Sequence, residues 1–110
     1  MRSYAARGYF AANAHRPNLH VLCGATVANI ELDGDKATGV TFIRDGQKHT
    51  VNAKKEVIVA GGAIHSPAIL ELSGIGDPEV LRNAGIEPKI ENKAVGENFQ
   101  DHVMSVSHRV

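Results

Sequence analysis

The sequence predicts an α/β fold that combines parallel-sheet strands, an inserted three-stranded antiparallel meander and short helices within 110 residues. Val57–Ala60 is apolar at every position, which is typical of a strand covered on both faces in a parallel sheet. Asp33-Gly34 and Asp45-Gly46 separate β-rich runs and predict tight hairpin turns. Ser66-Pro67 and Asp77-Pro78 each have the pattern of an N-cap followed by the first helical residue. The alternation fits one small domain, or one piece of a larger one.

Charge and hydropathy exclude several classes of function. The 12 lysines and arginines balance the 12 aspartates and glutamates, so no net field draws nucleic acid or an anionic membrane to the chain. No apolar stretch reaches the roughly 18 residues of a transmembrane helix, and the N-terminus lacks the apolar core of a signal peptide. We therefore expect neither nucleic-acid nor membrane binding, and the compartment stays open.

The N-terminal part is predicted to form a helix and then a strand. Ser3 is the expected N-cap of a helix that runs to about Asn13 and ends before Pro17, which restricts the residue preceding it. The apolar run Leu19–Cys23 predicts a short buried strand. Its cysteine is the single one in the sequence, which excludes a disulfide framework and a cysteine-rich zinc site. We expect Cys23 to be a small buried side chain.

The three strands of the meander are predicted at Thr26–Leu32, Ala37–Arg44 and Gln47–Ala53. After the apolar strand Val57–Ala60, Ala68–Leu72 is predicted to be a short helix that Ser73-Gly74 ends. A second helix is predicted to begin at Asp77-Pro78 and to stop at Gly85. From Ile86 onward we expect extended or looped chain.

Most residue patterns that could form a catalytic or ligand-binding site lack a feature that the site requires. Gly74-Ile75-Gly76 begins a GxGxxG pattern, but Glu79 stands where the third glycine is needed and a helix precedes the pattern. The six histidines are dispersed and predict no metal site, and no GxSxG motif marks a nucleophilic serine. Gly61-Gly62 follows the apolar strand, where ligands of α/β sheets bind. Two glycines there either admit a ligand to the backbone or simply permit a sharp turn.

The stretch Gly62–Gly76 contains, in this order, a glycine, a Ser-Pro pair, paired aliphatic residues and the run Ser-Gly-Ile-Gly. This stretch resembles the second signature of the glucose–methanol–choline (GMC) oxidoreductases, which are FAD-dependent oxidases and dehydrogenases of alcohols and sugars. The flanking stretches that agree with the family are Arg16–Leu22, Lys55–Gly61, Val80-Leu81, Ala84–Ile86 and Val95–His102. The resemblance covers the chain from about Arg2 to Val110.

The resemblance implies that the α/β fold is part of an FAD-binding, Rossmann-like domain of a larger flavoenzyme. The nucleotide-binding GxGxxG that opens such proteins, and the catalytic histidine near their C-terminus, are not in this sequence. None of its histidines inherits that role, and His102 in particular belongs to a different motif. We therefore expect no catalytic residue here, and we expect this chain alone to be inactive and to bind FAD weakly or not at all.

Three cofactor-binding residues are implied by the same resemblance. Val27, at the start of the first meander strand, is implied to contact the adenine end of FAD through its backbone. Ala60 and Gly61 are implied to lie beside the adenosine half, while residues 95–110 would lead toward the substrate domain. The implied function is hydride transfer from a CH–OH group of an alcohol or sugar to flavin. The alternative is a truncated, non-catalytic product or a small interaction module. In either case the missing partners of the apolar strands predict marginal stability and self-association.

Overall fold

The computed structural model describes residues 2–103, and it begins with a short helical segment. A π-helical turn, Ala6–Phe10, leads directly into α1, Ala11–Asn13, so the helix predicted for this part is confirmed. It begins after Ala5 rather than at Ser3, and no side chain caps it. None of its residues is buried, and Tyr9 is 77% exposed.

The predicted strand Leu19–Cys23 is wrong. These residues form no strand, and the side chains of Val21 and Leu22 are 61% and 50% exposed. Cys23 is likewise exposed rather than buried. An apolar run becomes a strand only when a neighbouring strand completes its hydrogen bonds, and residues 2–103 offer this run no such neighbour.

The meander is confirmed as a three-stranded antiparallel sheet in the order β1-β2-β3. The strands are β1, Thr26–Asp33, β2, Lys36–Arg44, and β3, Gln47–Asn52. Gly34 has a φ of +60° at the first turn, and Asp45-Gly46 has φ values of +52° and +74° at the second. The second turn therefore has positive φ at both central residues, as an Asp-Gly hairpin requires.

The predicted strand Val57–Ala60 is also wrong. The segment forms no strand, and Ile58 is 78% exposed. Helix α2 spans Gly62–Leu72, so it begins well before the predicted cap Ser66, and Pro67 lies inside it. Gly61 is the N-cap residue, with a φ of −81°. The helix ends at Ser73, followed by Gly74 with a φ of +88°, as predicted.

The C-terminal part forms a small parallel pair around a second helix. The strands β4, Ile75–Gly76, and β5, Ile90–Glu91, flank α3, Pro78–Asn83. The predicted cap is confirmed, because the Asp77 carboxylate accepts a hydrogen bond from the Glu79 N–H at 2.8 Å.

The predicted stop of α3 at Gly85 is confirmed too. Gly85 N–H donates to the Arg82 carbonyl at 3.0 Å, and Ile86 N–H donates to the Leu81 carbonyl at 2.8 Å. These two bonds, with a φ of +73° at Gly85, form a Schellman motif. A Schellman motif places Ile86 against Leu81, and both line a shallow cavity between α2 and α3.

The α/β class is confirmed, with the parallel strands at β4 and β5 rather than in the two apolar runs. The core lies where the meander meets the C-terminal half. Its most buried side chains are Ile30 (4% exposed), Leu81 (1%), Thr41 (1%) and Ser73 (2%). The Ser73 hydroxyl accepts the Ile30 N–H at 2.8 Å and donates to the Ile69 carbonyl at 2.6 Å, which joins β1 to the end of α2.

The meander also carries a carboxylate with a shifted pKa. Glu31 accepts hydrogen bonds from the Thr41 hydroxyl and from the Asn29 amide, the latter at 2.9 Å. These bonds lower the pKa of Glu31 below its usual range, and the positive charges of Lys48 and Lys89 act in the same direction. Glu31 is therefore ionised at neutral pH and joins β1 to β2 through Thr41.

Candidate functional site

Ala60 and Gly61 lie together at the entrance to α2. Gly61 is exposed, and a Cβ added to it would lie 3.1 Å from the Cβ of His65 and from the backbone N of Ser66. Gly62 has a φ of +80°, and nothing lies within 4 Å of a Cβ added there. The sharp turn therefore accounts for both glycines, and the open side of Gly62 leaves room for a ligand to approach the backbone.

A cavity of about 430 Å³ lies against this helix N-terminus. One side is lined by Gly61, Ala63, Ile64 and His65, and the other by Phe99, Gln100 and Asp101. The first N–H groups of α2 have no partner inside the helix, and they carry a partial positive charge. The arrangement offers N–H donors beside an apolar wall, because Ile64 and Phe99 are 66% and 61% exposed.

The loop that forms the second side of this cavity is shaped by its own polar groups. Asn98 has a φ of +56°, and its side-chain oxygen accepts a hydrogen bond from the Gln100 amide at 2.7 Å. The Asp101 carboxylate accepts the His102 N–H at 2.7 Å. These are the local capping interactions expected of polar loop residues. The resemblance places Phe99–Asp101 in the passage toward the substrate domain, but no local pattern predicts that this loop lies beside Gly61.

Val27 lies on a separate element and does not line this cavity. It pairs with Phe42, its side chain is 37% exposed, and β1 pairs only with β2 in the described part of the chain. The register shifts between Val27 and Asn29, which marks Ala28 as a β-bulge residue. A bulge on an edge strand leaves backbone groups available to a ligand. The structure thus groups Ala60 with Gly61, and places Val27 on the free edge of the meander.

Residues 2–103 contain no group of three or more His, Cys, Asp or Glu side chains arranged to hold a metal ion. Within the same range, no helix has the length and apolar character needed to cross a membrane. The exposed His49 stacks on Phe42 with ring centroids 5.4 Å apart. This stacking packs β3 against β2 within the meander.

The sequence model of the GMC oxidoreductases matches residues 1–104. The chain belongs to the GMC oxidoreductase family. It is 54% identical over 102 residues to an oxygen-dependent choline dehydrogenase of Staphylococcus saprophyticus and 48% identical to that of Staphylococcus aureus. These alignments cover 93% of this chain, and the chain spans 18% of the length of each relative. The resemblance seen in Gly62–Gly76 is therefore confirmed.

Solved structures agree with this membership. An FAD-dependent oxidoreductase from Chaetomium thermophilum superposes with a TM-score of 0.77 at 35% identity over 82% of this chain and 16% of its own. A pyridoxine 4-oxidase from "Mesorbium loti" gives a TM-score of 0.75 at 32% identity, over 82% of this chain and 18% of its own. This GMC chain thus has the local fold of FAD-dependent oxidoreductases, and membership implies FAD as its cofactor.

Backbone groups at the start of α2 and along the edge of β1 fit a ligand such as FAD. The GMC chain presents an open backbone at Gly62, N–H groups at the start of α2 that no side chain caps, and a bulged strand edge at Val27. A flat, polar ring with donors and acceptors along its rim matches such backbone groups.

Proposed function

We propose that this chain forms the central part of the FAD-binding domain of an oxidoreductase that removes hydride from the CH–OH group of a small alcohol. The family match over residues 1–104 carries the proposal. The 54% identity to a choline dehydrogenase makes a choline-like alcohol the first substrate to test, ahead of a sugar. In this proposal residues 1–110 are a partial domain, and residues 95–110 lead toward a substrate domain, although 104–110 lie outside the described residues.

In this proposal three residues face the adenosine half of the cofactor. Val27 offers backbone groups to the adenine through the free edge of β1, and the adenosine lies beside Ala60 and Gly61, where the open side of Gly62 lets it approach the backbone closely. FAD held here would supply the acceptor for the hydride of the substrate carbon. The residues of this chain bind and orient the adenosine half, and the proton of the hydroxyl goes to a group outside this chain.

The exposed apolar segments support assignment to a larger domain. Val21, Leu22 and Ile58 are 61%, 50% and 78% exposed, in segments that form no strand. Additional strands on either side would cover them and convert both segments to the strands that their composition predicts. The same exposed surface favours the second candidate function, a non-catalytic interaction module that covers these segments by association with itself or with another protein.

The test is flavin reduction in the protein isolated from its own cell with an antibody raised against this chain. Without oxygen, we expect choline to remove the visible absorption of bound oxidised flavin, and we expect glucose at equal concentration to leave it in place. If glucose but not choline bleaches the flavin, the substrate is a sugar rather than a choline-like alcohol. A colourless product of 11.7 kDa would contradict the proposal and favour the interaction module.

A further inference from the structure

Ser73 is a polar residue buried at the junction of two elements. It is 2% exposed, and its hydroxyl accepts the Ile30 N–H at 2.8 Å while donating to the Ile69 carbonyl at 2.6 Å. Its partners therefore lie in β1 and in α2. Both hydrogen-bonding functions of the hydroxyl are used, so its orientation is fixed.

The hydroxyl is not needed to end the helix. The backbone N–H of Ser73 already donates to the carbonyls of Ile69 and Leu70, at 3.1 and 3.0 Å, and Gly74 N–H donates to Glu71 at 2.9 Å. What the side chain adds is an acceptor for Ile30, a residue 43 positions away in sequence. Without that acceptor, a buried N–H would lose its partner.

The two elements that Ser73 joins are those that carry the proposed adenosine contacts. Val27 lies on β1, three positions before Ile30, and Gly61 caps the start of α2, whose other end is Ser73. Helix α2 is continuous from Gly62 to Leu72 although Pro67 lies within it, so the bond at its C-terminal end constrains the position of its N-terminal end relative to β1. A small displacement of a strand edge is enough to misalign hydrogen bonds to a bound ring.

We propose that Ser73 is a positioning residue for the cofactor: its hydroxyl holds β1 against α2 so that Val27 and Ala60-Gly61 face one adenosine group. The inference rests on the proposed function. Ser73 touches no ligand in this account. It acts through the placement of the two backbone segments that do.

The test compares FAD affinity with stability in variants of the complete coding sequence. Ser73→Ala removes the acceptor, Ser73→Thr restores a hydroxyl, and Asp77→Ala is the matched control. That control also removes one hydrogen bond to a backbone N–H, at 2.8 Å, but on α3. The apoproteins are titrated with FAD by flavin fluorescence, at a temperature where circular dichroism shows every variant folded.

We expect Ser73→Ala to weaken FAD binding about tenfold, a change of about 1.4 kcal/mol. Ser73→Thr should recover most of that affinity, and Asp77→Ala should bind as the parent does despite a similar loss of stability. Equal affinity of parent and Ser73→Ala would overturn the inference alone. A parent that binds no FAD would overturn the proposed function, and the inference with it.

Hydrogen exchange provides a second measurement that does not depend on the folding of any variant. If the bond and the cofactor site are coupled, FAD must slow exchange at the Ile30 N–H, because coupling between two sites is reciprocal. We expect protection of the peptide that contains Ile30 to increase on FAD binding. Unchanged exchange there, with increased protection around Gly61, would contradict a positioning role.

Discussion

Replacing Gly74 with alanine is expected to lower the free energy of unfolding by about 3 kcal/mol or more. A Cβ at this position would lie 2.7 Å from the carbonyl oxygen of Glu87 and 3.0 Å from Cγ of Lys89. The φ of +88° adds a strain of about 1–2 kcal/mol for any residue with a Cβ. The clash cannot relax easily, because the Gly74 carbonyl accepts the N–H groups of Lys89 and Ile90 at 2.8 and 3.1 Å.

Gly85→Ala is the matched control for Gly74→Ala. Gly85 has a φ of +73°, but nothing lies within 4 Å of a Cβ added there. We expect it to lower the free energy of unfolding by only about 1–2 kcal/mol, the strain of a positive φ alone. Urea titration followed by circular dichroism measures both variants. Equal losses of unfolding free energy in the two variants would contradict this expectation. They would show that the clash of the added Cβ with the Glu87 carbonyl has no energetic cost.

Replacing Leu81 with alanine is expected to lower the free energy of unfolding by about 2–5 kcal/mol. Leu81 is 1% exposed, and its Cγ lies 3.5 Å from a Cβ added to Gly76, so it packs directly on β4. The loss should lie toward the upper part of that range. Leu81 already borders a cavity of about 260 Å³, so its truncation enlarges a space that the surrounding chain does not fill.

Val80→Ala is the control for Leu81→Ala, since Val80 neighbours it on α3 and is 49% exposed. We expect it to lower the free energy of unfolding by less than about 1 kcal/mol. The same urea titration distinguishes the two. A Val80→Ala loss as large as that of Leu81→Ala would mean that α3 packs through a different face.

The features that the sequence predicts correctly are those decided by residues close to one another in the chain. The hairpin at Asp45-Gly46 follows from the positive φ values that the turn requires, and the start and stop of α3 follow from Asp77 and Gly85. The sequence predicts the start of α2 too late, because Ser66-Pro67 has the residue types of an N-cap and a first helical residue. In the structure, Pro67 lies in the interior of the helix and Gly61 precedes the first turn instead.

The two apolar segments could not be predicted from composition alone. Leu19–Cys23 and Val57–Ala60 have the residues of buried strands, but a strand also needs a partner, and pairing is decided by distant chain. The candidate site shows the same division. The signature Gly62–Gly76 identifies the family, and the same resemblance implies cofactor contacts at Ala60 and Gly61, which stay a prediction. The cavity wall formed by Phe99–Asp101 arises from tertiary folding, which no local pattern reports.

If these residues belong to a protein that holds FAD, the flavin should accompany the polypeptide out of the cell. The measurement is native mass spectrometry of the protein retrieved from its own cell with an antibody against this chain. We predict one FAD for each polypeptide, released on denaturation. A polypeptide that retains no flavin, in a preparation where another GMC protein treated identically keeps its own, would contradict this expectation.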